Sequence, residues 1–133
     1  MICREAVWFE PGMRAGKSSS SSMKLVNLEE GMPTVHQALV QLAFELDAAR
    51  HEGRQLLKLI HGYGSTGVGG EIRLAVQSRL VELQRTGHLR TVIYGEDWSK
   101  SNHNTWELLI SRPELKQDYD LGRRNAGITI VVL

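Results

Sequence analysis

The sequence is poor in the residues that define disulfide-rich, secreted and membrane proteins. It holds a single cysteine, Cys3, which has no partner for an internal disulfide bond, and this favours a reducing compartment, the cytoplasm. No apolar run approaches the roughly 18 residues that a membrane-spanning helix needs, and the N-terminal part has no apolar segment of signal-peptide length. We therefore expect neither membrane insertion nor secretion.

The sequence also lacks an excess of charge of one sign. Lysine and arginine number 16 against 15 for aspartate and glutamate, which gives a formal net charge of +1. This balance excludes the basic field over the whole surface that many nucleic-acid-binding proteins have, so any anion site must be local. Hydrophobic residues make up 41% of the 133 residues, a composition and length that fit one compact globular domain.

The first 22 residues differ from the rest of the chain. They show no hydrophobic period, contain Pro11, Gly12 and Gly16, and end in a serine run at 18–22. Such a segment buries too little apolar surface to offset the entropy of ordering it. We therefore predict that residues 1–22 are a disordered N-terminal arm or an extension upstream of the true start, and that residues 23–133 form the domain.

The predicted domain alternates strands with helices. Short apolar segments typical of strands lie at residues 24–28, 56–60, 89–94 and 127–133. Amphipathic spacing predicts helices from Thr34 to Gly53, from Ile72 to Gly87 and, shorter, from Thr105 to Ile110. Thr34 and Gln37 have the spacing of a capping box, and residues 95–102 are predicted to be a polar loop. The second strand is almost unbroken in its apolar run, as in a strand buried on both faces of a parallel β-α-β unit. The predicted order is β-α-β-α-β-(α)-β, an α/β fold.

A glycine-rich segment joins the second strand to the second helix, and it reads His61-Gly62-Tyr63-Gly64-Ser65-Thr66-Gly67-Val68-Gly69-Gly70-Glu71-Ile72-Arg73. Glycines let the backbone approach an anion, a helix N-terminus points free N–H groups at it, and Arg73 offers a bidentate phosphate partner. A plain turn stays open as the alternative. His61 is expected to face the crevice, where it transfers a proton or binds phosphate, or to hydrogen-bond its own loop.

Two nucleotide-binding motifs fit this segment poorly. Gly62 to Gly67 matches the dinucleotide fingerprint, but the first acid after the next strand, Glu96, comes later than the fingerprint requires. No Lys-Ser or Lys-Thr pair follows the glycines, so the segment is not a phosphate-binding P-loop. Nucleotide binding is therefore a less favoured alternative, and no histidine pair has the spacing of a zinc site.

The His61-Gly62-Tyr63-Gly64 turn, the Ile72-Arg73 helix start and the closing Gly127–Leu133 strand together resemble the Smr domain, the small MutS-related family. The resemblance covers Lys24 to Leu133. It implies a two-layer α/β sandwich with a four-stranded mixed sheet and two main helices, similar to the C-terminal domain of the third bacterial translation initiation factor. It also implies RNA or DNA as partner, because Smr domains include DNA-nicking and RNA endonucleases, some linked to ribosome collisions, and others without an assigned activity. A ribosome or a repair protein is a further candidate partner.

The family motifs transfer to this sequence in part. His61, Gly62 and Gly64 match the family's HGxG turn, and the phosphate-binding residues implied around it are Gly62, Tyr63, Gly64, Ser65, Gly67 and Arg73. The family's Leu-Asp-x-His/Arg-Gly segment corresponds to residues 26–31, where Asn27 replaces the acid and Glu29 is the candidate replacement carboxylate.

These matches lead to a predicted catalytic pair, His61 and Glu29, in an endonuclease. A module that binds nucleic acid without cutting it is the alternative, because of the altered segment. No cofactor is predicted from the residues, and a requirement for Mg²⁺ or Mn²⁺ stays open, as does the oligomeric state.

The remaining candidates are aromatic and basic side chains. Tyr63 and Trp98 are candidates for stacking on bases, whereas Trp106 is predicted to pack in the core. The arginines near the second helix, Arg73, Arg79, Arg85 and Arg90, are candidate phosphate contacts or solubilising charges. Residues 123–125 are predicted to be a polar turn, with a return toward the glycine-rich segment as the alternative.

Overall fold

The computed structural model describes residues 23–62 and 68–133. The strands are β1 (Met23–Asn27), β2 (Leu56–Ile60), β3 (Thr91–Tyr94) and β4 (Ile128–Val132). The α-helices are α1 (Val35–His51), α2 (Val68–Arg85) and α3 (His103–Ser111), with 3-10 helices at Gly95–Asp97 and Pro113–Gln117. The predicted arm and the predicted phosphate-binding residues Tyr63, Gly64, Ser65 and Gly67 lie outside the described residues.

The four strands form one mixed sheet in the order β1-β2-β4-β3. β1 and β2 are parallel, and β4 is antiparallel to both β2 and β3. The C-terminal ends of β1, β2 and β3 therefore meet the start of β4 at one end of the sheet, the carboxyl end. The α/β class and the mixed four-stranded sheet are as predicted. An antiparallel strand at the centre does not fit the mostly parallel sheet of a dinucleotide-binding fold.

Helices α1 and α2 cover one face of the sheet. α1 begins with the predicted capping box, in which Gln37 N donates to Thr34 Oγ1 at 3.1 Å and Thr34 N donates to Gln37 Oε1 at 2.9 Å. After the helix, Gly53 takes the left-handed conformation, with φ of 76°. The core between these helices and the sheet includes Ala38, Leu42, Leu46, Leu57, Leu59, Ile72, Val76, Leu80 and Val131.

A smaller layer, formed by α3 and the two 3-10 helices, covers the other face of the sheet. Its core joins Leu56, Ile93, Ile130 and Val132 from the strands to Trp98, Leu109 and Leu115. α3 is the shorter third helix of the predicted order β-α-β-α-β-(α)-β. Part of the segment 95–102, predicted as polar loop, is a 3-10 helix because Trp98 after it is buried in this core.

The predicted burial of Trp106 is wrong. Trp106 is 44% exposed, whereas Trp98 is 0% exposed and its Nε1 donates to Asp118 Oδ2 at 2.9 Å. The inward face of α3 is set by Thr105 and Leu109, which lie four residues apart and are both buried. Trp106 follows Thr105 by one residue and so points away from the sheet.

Across residues 23–62 and 68–133, none of the helices combines the length and apolar character that crossing a bilayer requires.

Candidate functional site

The imidazole of His61 is enclosed at the carboxyl end of the sheet. It is 0% exposed, its Nδ1 lies 2.7 Å from the Gly62 carbonyl oxygen, and its Nε2 lies 2.8 Å from Thr129 Oγ1. Because a carbonyl oxygen only accepts, Nδ1 carries the proton and Nε2 accepts from the Thr129 hydroxyl. The expectation that the ring faces an open crevice is wrong, since alternation along β2 puts residue 61 on the same face as Leu57 and Leu59, beneath the helices.

This environment keeps His61 neutral. Burial lowers the pKa of the imidazole below its ordinary value of 6.5, and the nearby charge of Arg73 acts in the same direction. The hydrogen bond to the Gly62 carbonyl and the charges of Glu29 and Glu96 oppose this lowering without overcoming it. His61 therefore presents no free ring nitrogen to a ligand, and it holds the backbone around it.

Gly62 lies directly against Glu29. Its φ is +74°, and a Cβ added to it would overlap Glu29 Oε2 and lie 3.2 Å from Glu29 Cδ. The backbone conformation favours glycine here, whereas the exposed Glu29 side chain can shift to make room for a Cβ. The structure brings Glu29, Gly62 and His61 together, as the predicted site requires.

Asn27 explains how Glu29 reaches this position. Glu29 N donates to Asn27 Oδ1 at 3.0 Å, a local turn that begins where β1 ends. Leu28 N then donates to the Ile60 carbonyl oxygen at 2.7 Å and extends the pairing with β2. Asn27 therefore forms the turn that places the exposed Glu29 carboxylate beside β2.

Among the four candidate arginines, Arg73 is the one placed at the carboxyl end. It lies near the N-terminal end of α2 and is half-buried, and its Nε is buried without a hydrogen-bond partner in the described part of the chain. Arg79 is in α2 and lines the groove between α2 and α1. Arg85 pairs with Glu82 at the far end of α2. Arg90 precedes β3 at the opposite end of the sheet.

The turn before β4 does return to the carboxyl end. Asn125 Oδ1 accepts from Gly127 N at 2.9 Å, and the Gly127 carbonyl accepts from the backbone N–H groups of His61 and Gly62 at 3.0 and 3.1 Å. A Cβ on Gly95 would overlap the Asn125 carbonyl oxygen, so the end of β3 packs against the same turn. Through Gly127, the turn thus returns to His61 and Gly62, the described start of the glycine-rich segment, which was the alternative to a plain polar turn.

A buried ion-pair network, missed by the sequence analysis, fixes this turn from the other face of the sheet. Lys58 in β2 is 7% exposed, and its Nζ pairs with Asp118, 3.0 Å from Oδ1, and with Asp120. Burial acts to raise the pKa of Asp120, but hydrogen bonds from Lys58 and Asn125 outweigh it and keep the pKa below its ordinary 3.8. A lysine inside an apolar strand is the sequence feature that points to such a partner.

No group of three or more histidine, cysteine, aspartate or glutamate side chains is placed to hold a metal ion within residues 23–62 and 68–133. Glu29 and Glu96 both act on His61, but the nitrogens of that ring are already bonded to Gly62 and Thr129. The arrangement therefore offers the exposed carboxylates of Glu29 and Glu96 and the guanidinium of Arg73 to a ligand.

Comparison with solved structures identifies the fold. The chain is similar to the crystal structure of the Smr domain of Thermus thermophilus MutS2, with a TM-score of 0.50 and 23% sequence identity over 83% of this chain and 96% of that one. This likeness confirms an Smr-like fold. No protein-family model matches the chain, and no curated protein matches it.

Proposed function

We propose that the carboxyl end of the sheet binds the phosphodiester backbone of a nucleic acid, RNA or DNA. The observation that carries the proposal is the half-buried Arg73 guanidinium, whose Nε has no acceptor among the described residues. A buried donor without an acceptor is unfavourable, and a phosphate is the acceptor that a guanidinium binds best. The start of α2 adds the positive end of a helix dipole at the same place.

The Smr-like fold supports the proposal, because the sequence resemblance to that family implies RNA or DNA as partner. The contacts of Tyr63, Gly64, Ser65 and Gly67 with phosphate stay predictions. So do the cytoplasmic localisation, which rests on the single cysteine, and a ribosome or a repair protein as a further partner.

Binding is tested with an end-labelled single-stranded RNA, a structured RNA and a duplex DNA, and Arg73→Gln is compared with Arg85→Gln. Both variants remove one positive charge from α2, but Arg85 lies at the far end and is paired with Glu82. We expect Arg73→Gln to weaken binding about 10-fold and to flatten its salt dependence, and Arg85→Gln to change affinity less than about twofold. Equal effects of the two substitutions, or no binding by the unaltered protein, contradict the proposal.

Cleavage of the bound strand is the second candidate function, and the contact of the Glu29 carboxylate with Gly62 favours it. An exposed carboxylate beside a bound phosphodiester can act as a general base toward water. For His61 we propose a positioning role in place of the predicted catalytic one, because both ring nitrogens are bonded inside the protein. His61 positions Gly62 and the start of β4.

Glu29→Gln separates the two functions. In a binding module this substitution removes a negative charge near the phosphate and strengthens binding, and the labelled strand stays intact. In an endonuclease the unaltered protein cuts the labelled strand and Glu29→Gln does not. The cleavage assay is run with Mg²⁺, with Mn²⁺ and with a chelator. Glu30→Gln, which changes the same charge at the neighbouring exposed residue, is the matched control.

A further inference from the structure

We propose that Tyr119 and Arg123 form a base-stacking platform, on which a base of single-stranded nucleic acid packs beside the backbone site. This inference rests on the proposed function and deepens it by naming the form of nucleic acid that is preferred. Both residues lie in the turn between the second 3-10 helix and β4.

The two side chains already form a stack. The Arg123 guanidinium carbon lies 4.1 Å from the centre of the Tyr119 ring, and Arg123 Nε donates to the Tyr119 carbonyl oxygen at 2.7 Å. Tyr119 is nevertheless 72% exposed. A planar guanidinium held over an aromatic ring in solvent is a surface that a nucleobase can extend, because bases stack on both groups.

The turn that carries the pair is fixed by buried charge. Asp118 and Asp120, on either side of Tyr119, both bind Lys58 in the middle of β2, and Asp118 also accepts from Trp98 Nε1. Asp120 N donates to Asp118 Oδ2 at 3.2 Å within the turn. The backbone on both sides of Tyr119 is thus ordered before any ligand arrives, which lowers the entropy lost on binding.

The platform lies on the same turn that completes the backbone site. Asn125 Nδ2 donates to Asp120 Oδ1 at 3.2 Å, and Asn125 in turn accepts from Gly127, whose carbonyl binds the N–H groups of His61 and Gly62. Arg123 and the exposed Arg124 add positive charge to this turn. This chain of hydrogen bonds joins the turn that carries Tyr119 to the backbone of His61 and Gly62 at the carboxyl end.

The test compares Tyr119→Ala with Trp106→Ala, using a labelled single-stranded RNA of about 12 nucleotides, an abasic strand of the same length and an RNA duplex. Trp106, an exposed aromatic residue on α3, is the matched control. The centre of its ring lies 5.9 Å from Nζ of Lys116, which belongs to the 3-10 helix that follows α3. We expect Tyr119→Ala to weaken binding of the single strand about 10-fold and to leave the abasic strand and the duplex within twofold. Tyr119→Phe, which keeps the ring, is expected to bind as the unaltered protein does.

Three outcomes overturn the inference, and they differ from failure of the proposed function. If Tyr119→Ala binds the single strand as well as the unaltered protein does, while Arg73→Gln binds it more weakly, the platform is contradicted and the backbone site is supported. An equal loss for the abasic strand shows that stacking is not involved, and an equal loss with Trp106→Ala shows that the effect is not local. Absence of binding by the unaltered protein removes the proposed function and the platform together.

Discussion

β2 and the residue directly after it carry two buried polar side chains, Lys58 and His61, which project from opposite faces of the sheet and have different hydrogen-bond partners. Lys58 lies under the smaller layer, where it forms ion pairs with Asp118 and Asp120. His61 lies under the helical layer as a neutral ring, bonded to a carbonyl and a hydroxyl. One strand thus holds a charged network on one side and a neutral one on the other.

The difference shows how a small domain fixes the carboxyl end of its sheet from both faces. The Lys58 network orders the turn that bears Tyr119 and Arg123, and the His61 network orders Gly62 and the start of β4. Neither side chain is exposed to a ligand, since Lys58 is 7% and His61 0% exposed. Both are therefore expected to act on function through the positions of other residues.

The charged network is expected to show the largest effect on substitution. Lys58→Met leaves two largely buried carboxylates without their cation and is expected to lower the free energy of unfolding by about 3–5 kcal/mol. Urea denaturation of the two proteins at neutral pH measures this loss.

Replacing all three charged groups is the control for that result. The triple variant Lys58→Met, Asp118→Asn, Asp120→Asn removes the network without leaving an unpaired charge, so we expect it to recover most of the stability. If the triple variant is as unstable as Lys58→Met, the loss comes from packing rather than from unpaired charge, and the comparison with His61 loses its basis.

The neutral network is expected to show a smaller effect. Thr129→Val keeps the shape of the side chain but removes the hydroxyl that donates to His61 Nε2, so a buried acceptor is left unpaired at a cost of roughly 1–3 kcal/mol. Thr129→Ser keeps the hydroxyl and loses a methyl group, and it separates the hydrogen bond from packing. A loss in Thr129→Ser as large as in Thr129→Val would assign the effect to the methyl group.

Much of the fold was predictable because its determinants are local. The capping box of Thr34 and Gln37 and the apolar run of β2 depend on residues close in sequence, and both were found where predicted. The position of His61 at the end of β2 is local too. Its direction could also have been predicted, because residue 61 follows Leu57 and Leu59 in the alternation of inward-facing residues.

The features that were missed depend on contacts distant in sequence. Lys58 and Asp118 lie 60 residues apart, and the sequence of β2 shows a lysine that needs a partner without showing which one. The choice between Trp98 and Trp106 as the core residue depends on how α3 docks on the sheet, and that short helix has too few turns for its period to decide. The platform on Tyr119 depends on Lys58 and Trp98, because both donate to Asp118 beside it.

The pH dependence of stability is expected to show the smallest effect, and it separates the two networks by the pH at which each responds. Burial lowers the pKa of His61 in the folded protein below the 6.5 expected for the unfolded chain. Well above pH 6.5 the ring is neutral in both states and its contribution is complete. As the pH falls below this value, the unfolded chain binds the proton more readily, so stability declines by no more than about 1.4 kcal/mol per pH unit until the folded pKa is reached.

The Lys58 network responds in a lower range. The pKa of Asp120 is held below 3.8 by its hydrogen bonds, so its contribution is present above that value and is lost as the pH falls further. Urea denaturation of the unaltered protein and of His61→Gln from about pH 8 to about pH 5 isolates His61, because the other four histidines are common to both proteins and cancel in the difference. If the stability of His61→Gln declines as much over this pH range, another group causes the decline. The contrast between a neutral network on one face of the sheet and a charged network on the other then loses this support.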